Sequence, residues 1–227
     1  MTQGQPAAGS MESLYPFLYS GTTDLDAVLE QVRQSTVAKA EEITELRRVI
    51  GARDGARLMS CAADAAARFA AGGRLLAFGN GGSATDAQQL AALFLNPGGT
   101  ARPLPALGLA SDTSVVTALC NDIGVDVVFA RQIAALGRRD DIAVGLSTSG
   151  NSDNLLRAFD EASRRGLLTV GLAGYEGGKM AELDSIDYLF VAPSSSVHRI
   201  QEAQTTVYHV LWELIQAELG APGGIRR

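Results

Sequence analysis

Two cysteines, Cys61 and Cys120, stand in 227 residues, too few for a disulfide framework or a four-cysteine metal site. Both fall in helical patterns, which is the usage expected of free thiols in a reducing compartment. No Lys/Arg cluster occurs, and 19 basic against 25 acidic residues leave a net charge of −6, which argues against nucleic acid as a direct partner. No apolar run approaches the roughly 20 residues of a membrane span, and the first residues lack the basic and apolar regions of a signal peptide. Internal repeats and dividing linkers are also missing. These absences lead us to expect a cytoplasmic protein without membrane contact. A flexible tail over residues 1–23 and one domain over 24–227 are expected, with an aromatic-apolar patch, Leu14 to Tyr19, inside the tail as a possible docking segment.

What is present is organised around Leu75 to Pro97, LLAFGNGGSATDAQQLAALFLNP. A short apolar run breaks at Gly79-Asn80-Gly81-Gly82-Ser83 and restarts at Ala84 as an amphipathic pattern, which reads as strand, loop and helix. Glycines let the loop turn tightly and bring N–H groups close to an anion, and the positive end of the helix favours a phosphate or carboxylate there. Such a turn also arises simply to pack a helix on its sheet. A second loop, Ser147-Thr148-Ser149-Gly150-Asn151-Ser152, repeats the arrangement after the apolar run Ile142 to Leu146. Its hydroxyls can surround phosphate oxygens, while Asn151 or Ser152 can cap the following helix. Two such loops at the carboxyl ends of parallel strands match the place where open α/β sheets bind ligands.

Upstream, Asp24 to Val49 and Asp54 to Ala71 carry helical periodicity, so two helices are expected before the first strand. From Arg74 the pattern alternates. Strands are expected near Leu75–Phe78, Leu104–Leu109, Ile142–Leu146, Leu168–Leu172 and Tyr188–Val191, and a long final helix over Val197–Leu219. Runs that are apolar throughout imply strands covered on both faces, hence a parallel sheet between helical layers.

Four motifs in register now carry a resemblance: Gly79-Asn80-Gly81-Gly82-Ser83-Ala84, Asn121-Asp122, Ser147-Thr148-Ser149-Gly150-Asn151-Ser152 and Arg199-Ile200-Gln201-Glu202. Their order and spacing resemble those of the phosphoheptose isomerases, members of the SIS (sugar isomerase) family. The resemblance implies an α/β fold, a three-layer α/β/α sandwich with a five-stranded parallel sheet preceded by two N-terminal helices. It also implies a homotetramer and a sugar-phosphate site at the subunit interface. By resemblance, Ser83, Ser147, Thr148, Ser149 and Ser152 are the phosphate and sugar ligands, and Asn80, Gly81, Gly82, Asn121, Asp122 and Gln201 the remaining substrate contacts.

The chain departs from the pattern where the chemistry is done. The resemblance places a histidine, then a glutamate serving as base and metal ligand, on the helix after the first loop; a glutamine and a histidine on the last helix complete a zinc site. The corresponding positions here are Gln89, Leu93, Gln201 and His209. One histidine with amides makes a poor zinc site, so no metal cofactor is expected. His209 is the remaining candidate acid/base, although a histidine on a mostly apolar helix is also an ordinary packing residue. Glu202 suits first-turn capping and dipole roles. Three readings stay open: a phosphosugar-binding protein without the family's chemistry, an isomerase with altered catalytic residues, and a protein-binding adaptor resembling the DnaA initiator-associating factor.

Overall fold

The computed structural model describes residues 25–220; the whole of the expected tail, with its Leu14–Tyr19 patch, lies outside them. Two compact units are distinguished, residues 1–42 and 43–227. In the first, the described residues are helical, the opening turns of α1 (Leu25–Ala70). They carry exposed apolar residues at Val28, Leu29, Val32 and Val37 and an i,i+3 pair of Arg33 with Glu30 at 2.7 Å.

In the second unit α1 continues without interruption, so the two helical segments expected before the first strand are one helix. Gly51 falls between them and Gly55 at the start of the second, and neither has a neighbour within 4 Å of where a Cβ would stand. Glycine inside a helix costs only about 1 kcal/mol relative to alanine and does not stop it when packing continues on both sides. Here Ile43, Leu46, Ile50, Leu58, Ala62, Ala65 and Phe69 are buried along one stripe.

Five strands follow: β1 (Leu75–Gly79), β2 (Ala106–Gly108), β3 (Ile142–Ser147), β4 (Leu168–Gly174) and β5 (Tyr188–Ala192). They form one parallel sheet in the order β2-β1-β3-β4-β5. The helices between and after them are α2 (Gly82–Leu95), α3 (Thr113–Ile123), α4 (Val128–Leu136), α5 (Asp153–Arg164) and α6 (Val197–Gly220). Successive side chains of a strand point to opposite faces, and β1 shows the result. Leu75 and Ala77 join a core with Phe69, Leu90, Phe94 and Tyr208 from α1, α2 and α6. Leu76 and Phe78 join a second core with Phe129, Ile133, Leu155 and Phe159 from α4 and α5. Two cores on two faces make the three-layer sandwich.

Helix α3 is the exception. Its sequence is mostly apolar, yet none of its residues is buried, and Val115 and Ile123 stand exposed. Asp112 starts it by accepting a hydrogen bond from the Val115 amide at 3.1 Å. Among the described residues, no helix is long and apolar enough to cross a membrane.

The strand order fixes where a ligand can enter. From β1 the chain runs through α2 to β2 on one side, then crosses to β3 on the other. The connections leaving the carboxyl ends of β1 and β3 therefore diverge and open a crevice between them. Both glycine- and serine-bearing loops leave from those two ends, paired by the register Phe78↔Gly145 and Gly79↔Leu146.

Candidate functional site

The first loop turns sharply at Gly81, whose φ of 53° and ψ of −123° lie where an L side chain is strained. Helix α2 begins directly afterwards at Gly82, two residues before the expected Ala84. The Ala84 and Thr85 amides turn back to the carbonyls of Asn80 and Gly81. The amides of Gly82 and Ser83, ahead of them, have no carbonyl one turn back to reach within the helix, which leaves them for an anion. Ser83 sits buried in this first turn.

The second loop is fixed from outside. Gly150 adopts φ 67°, and a Cβ there would stand 1.9 Å from the Gly177 carbonyl oxygen. The Met180 amide donates to the Gly150 carbonyl at 3.0 Å, and the Lys179 amide to Asn151 Oδ1 at 2.9 Å. The loop is also tied within itself, since Ser147 Oγ accepts from the Gly150 amide at 3.1 Å. Ser152 occupies the N-cap of α5, but its side chain makes no capping bond. Its hydroxyl turns instead to Ser147 Oγ, 3.3 Å away. A serine at an N-cap ordinarily satisfies a helix amide; this one does not. Ser149 Oγ accepts from the Asn151 amide at 3.3 Å, and Thr148 and Ser149 are half-buried beside it.

Side-chain amides bind the two loops together. Asn80 Nδ2 donates to Asn154 Oδ1 and Asn154 Nδ2 to Asn80 Oδ1, each at 2.9 Å. Asn80 therefore faces the first turn of α5 and acts as a clamp between loops. A third element meets the first loop. Gln201, in the first turns of α6, presses on Gly82 so closely that a Cβ there would lie 2.4 Å from Gln201 Nε2. The same nitrogen donates to Asp86 Oδ2 at 3.3 Å. Asp86 is missing from the residues singled out by motif, and its carboxyl is raised above the ordinary carboxylate value by burial, with the Gln201 hydrogen bond opposing.

The remaining candidates are placed apart from the serine loops. Asn121 and Asp122 are exposed at the end of α3 and hydrogen bond to each other at 3.0 Å. His209 is exposed; its Nδ1–H donates to the Thr205 carbonyl at 2.8 Å, which leaves Nε2 as the open nitrogen. Its ring stacks on Tyr208, centroids 4.9 Å apart. Glu202 pairs with Arg199 at 2.7 Å, one turn back on α6, in keeping with a helix-start role.

The positions corresponding to the family's metal ligands do not fit zinc. Leu93 packs against the core cluster of α2 and α6 and has no donor atom. The Gln89 amide oxygen already lies at the edge of hydrogen-bond range of the Tyr208 hydroxyl, 3.5 Å, and the Gln201 amide is turned to Asp86. An exposed imidazole with two engaged amides lacks the thiolate, imidazole and carboxylate set that zinc selects.

Known proteins resemble this chain over most of its length. The SIS domain family model matches residues 40–174. A phosphoheptose isomerase of Desulfovibrio desulfuricans is 47% identical over 178 residues, 78% of this chain and 84% of that protein. One of Solidesulfovibrio magneticus is 43% identical over 192 residues, 84% of this chain and 89% of the relative. Among solved structures, phosphoheptose isomerase from Neisseria gonorrhoeae superposes with a TM-score of 0.74 at 34% identity, covering 82% of this chain and 99% of that one.

Proposed function

Because the chain belongs to the SIS-domain family, in its phosphoheptose isomerase branch, we propose that it binds a phosphorylated sugar in the crevice between the two loops, without the family's glutamate and zinc. The observation that carries this reading is the Ser152 hydroxyl. It holds the N-cap position of α5 but is turned beside Ser147 Oγ, an arrangement that serves a ligand better than the helix. Ser83, Ser147, Thr148, Ser149 and Ser152 hold the phosphate with the amides of the α2 terminus, and Asn80, Gly81, Gly82 and Gln201 shape the sugar side. The sequence departures at Gln89 and Leu93 remove the metal-assisted route that the resemblance implies.

The same reading makes the protein a homotetramer. An apolar α3 with no buried residue is a face that a second copy would cover, and Asn121 and Asp122 at its end would then reach a neighbour's crevice. Light scattering at micromolar concentration should return a multiple of the 23.7 kDa chain; the mass of one chain would refute the assembly. Titration with sedoheptulose 7-phosphate and with sedoheptulose tests the site, and equal affinity for both would mean that the loops do not bind phosphate. An adaptor without ligand chemistry would bind neither.

A further inference from the structure

Gly82, Asp86, Gln89 and Leu93 recur at helical spacing and form one stripe along α2. Facing it from α6 are Gln201, whose amide reaches both Gly82 and Asp86, and Tyr208, whose hydroxyl lies near Gln89 Oε1. Asp86 is the one carboxylate on this stripe. It stands one helical turn after Gly82 and Ser83, so it borders the anion loop, while Leu93, at the position of the family's glutamate, lies two turns further on. Among the described residues no ion pair engages Asp86, so its oxygens are not committed to a cation. Tyr208 and Gln201 are the polar groups that α6 turns toward it.

We propose that Asp86 is the catalytic base of this chain, replacing the missing glutamate from the loop end of the same helix stripe and working without metal. The inference rests on the phosphosugar reading above. With the phosphate on the serine loops, the carboxylate takes the proton from the hydroxyl-bearing carbon next to the sugar carbonyl. The C–H electron pair becomes the new C=C bond of an enediol, and the carbonyl π pair moves onto its oxygen, which is protonated by the neighbouring hydroxyl. Asp86 returns its proton to the former carbonyl carbon, and aldose and ketose interconvert with no external oxidant or reductant. The Gln201 amide, held against Gly82, keeps the carboxylate oriented toward the crevice.

The test uses the full chain, chelator-treated, with sedoheptulose 7-phosphate in D2O. Proton NMR follows exchange of the carbon-bound hydrogen next to the carbonyl, and calorimetry follows binding. Wild type should bind and exchange. Asp86→Asn should bind within about threefold of wild type, lose at least a hundredfold in exchange, and melt no lower. Asp86→Glu should keep a measurable part of the exchange. Exchange within a fewfold of wild type in Asp86→Asn overturns the inference, as does exchange that vanishes on chelation or binding without exchange in wild type. Parallel loss of binding and exchange would also overturn it, making Asp86 a positioning residue for Gln201. A wild type that binds no sugar phosphate defeats the phosphosugar reading as well.

Discussion

Replacing Gly150 by alanine perturbs the site without touching any proposed ligand atom. The added Cβ would stand 1.9 Å from the Gly177 carbonyl oxygen and 3.1 Å from the Gly178 amide nitrogen. Both are backbone, so neither can rotate away, and restoring van der Waals contact requires the Ser147–Ser152 loop to shift by more than 1 Å. The left-handed backbone at φ 67° adds about 1–2 kcal/mol for a non-glycine residue. The shift also weakens the Met180 to Gly150 and Lys179 to Asn151 hydrogen bonds, each worth about 1 kcal/mol. The sum, about 3 kcal/mol, corresponds to a melting temperature lower by roughly 6–12 °C in a chain of this size. Displacing two hydroxyls from a phosphate, at about 1.5–3 kcal/mol per charged hydrogen bond, lowers affinity by a hundredfold or more. Gly51→Ala is the control. It meets nothing within 4 Å on an exposed helix surface, and should stabilise the protein by about 0.5–1 kcal/mol. Calorimetric melting and titration with sedoheptulose 7-phosphate read both variants. If Gly150→Ala melts and binds like wild type, the loop is not held as described.

Three further outcomes are expected. Gln89→His with Leu93→Glu places an imidazole and a carboxylate one turn apart on α2, so zinc content by atomic absorption should rise; in chelator the pair should melt below wild type, because Leu93 packs on the core and a carboxylate there is buried without a partner. Gln204, 2% exposed, has no hydrogen-bond partner for either amide atom among the described residues, so Gln204→Met should raise stability by about 1–3 kcal/mol in denaturant titration. Cys61, which burial pushes up to about 12, should resist a thiol reagent at pH 8 until the protein unfolds, while half-buried Cys120 reacts in the native state.

The loops were readable because glycine and serine runs between apolar strands and periodic helices have few other uses, and two of them at corresponding places narrow the choice further. The parallel sheet was readable for a related reason: β3 and β4 are almost wholly apolar because both of their faces are covered. The gap between the two periodic segments is no break in the structure, because the buried stripe that runs through Ile43, Leu46, Ile50, Leu58 and Ala62 carries α1 through it. Asp86 gave no motif signal, since a lone aspartate in a helix is ordinarily a surface residue. Its heptad spacing from Gly82 to Leu93 was available, but only the closeness of Gln201 to Gly82 shows that this stripe faces α6. The exposed place of Asn121 and Asp122 at the end of α3 was equally hidden, because chain order does not say where a helix end lies relative to the loops.

The central claim is that the paired loops hold a phosphate through their serine hydroxyls, among them that of Ser152, which makes no capping bond, and Ser152→Ala tests it most directly. Among the described residues the hydroxyl makes no capping bond and lies in hydrogen-bond range of Ser147 Oγ, so its removal should leave the melting temperature within about 2 °C of wild type. Titration with sedoheptulose 7-phosphate should show about tenfold or greater weakening, the equivalent of one charged hydrogen bond, with no change for the unphosphorylated sugar. Unchanged affinity for the phosphorylated sugar, or an equal loss for both, would contradict the account.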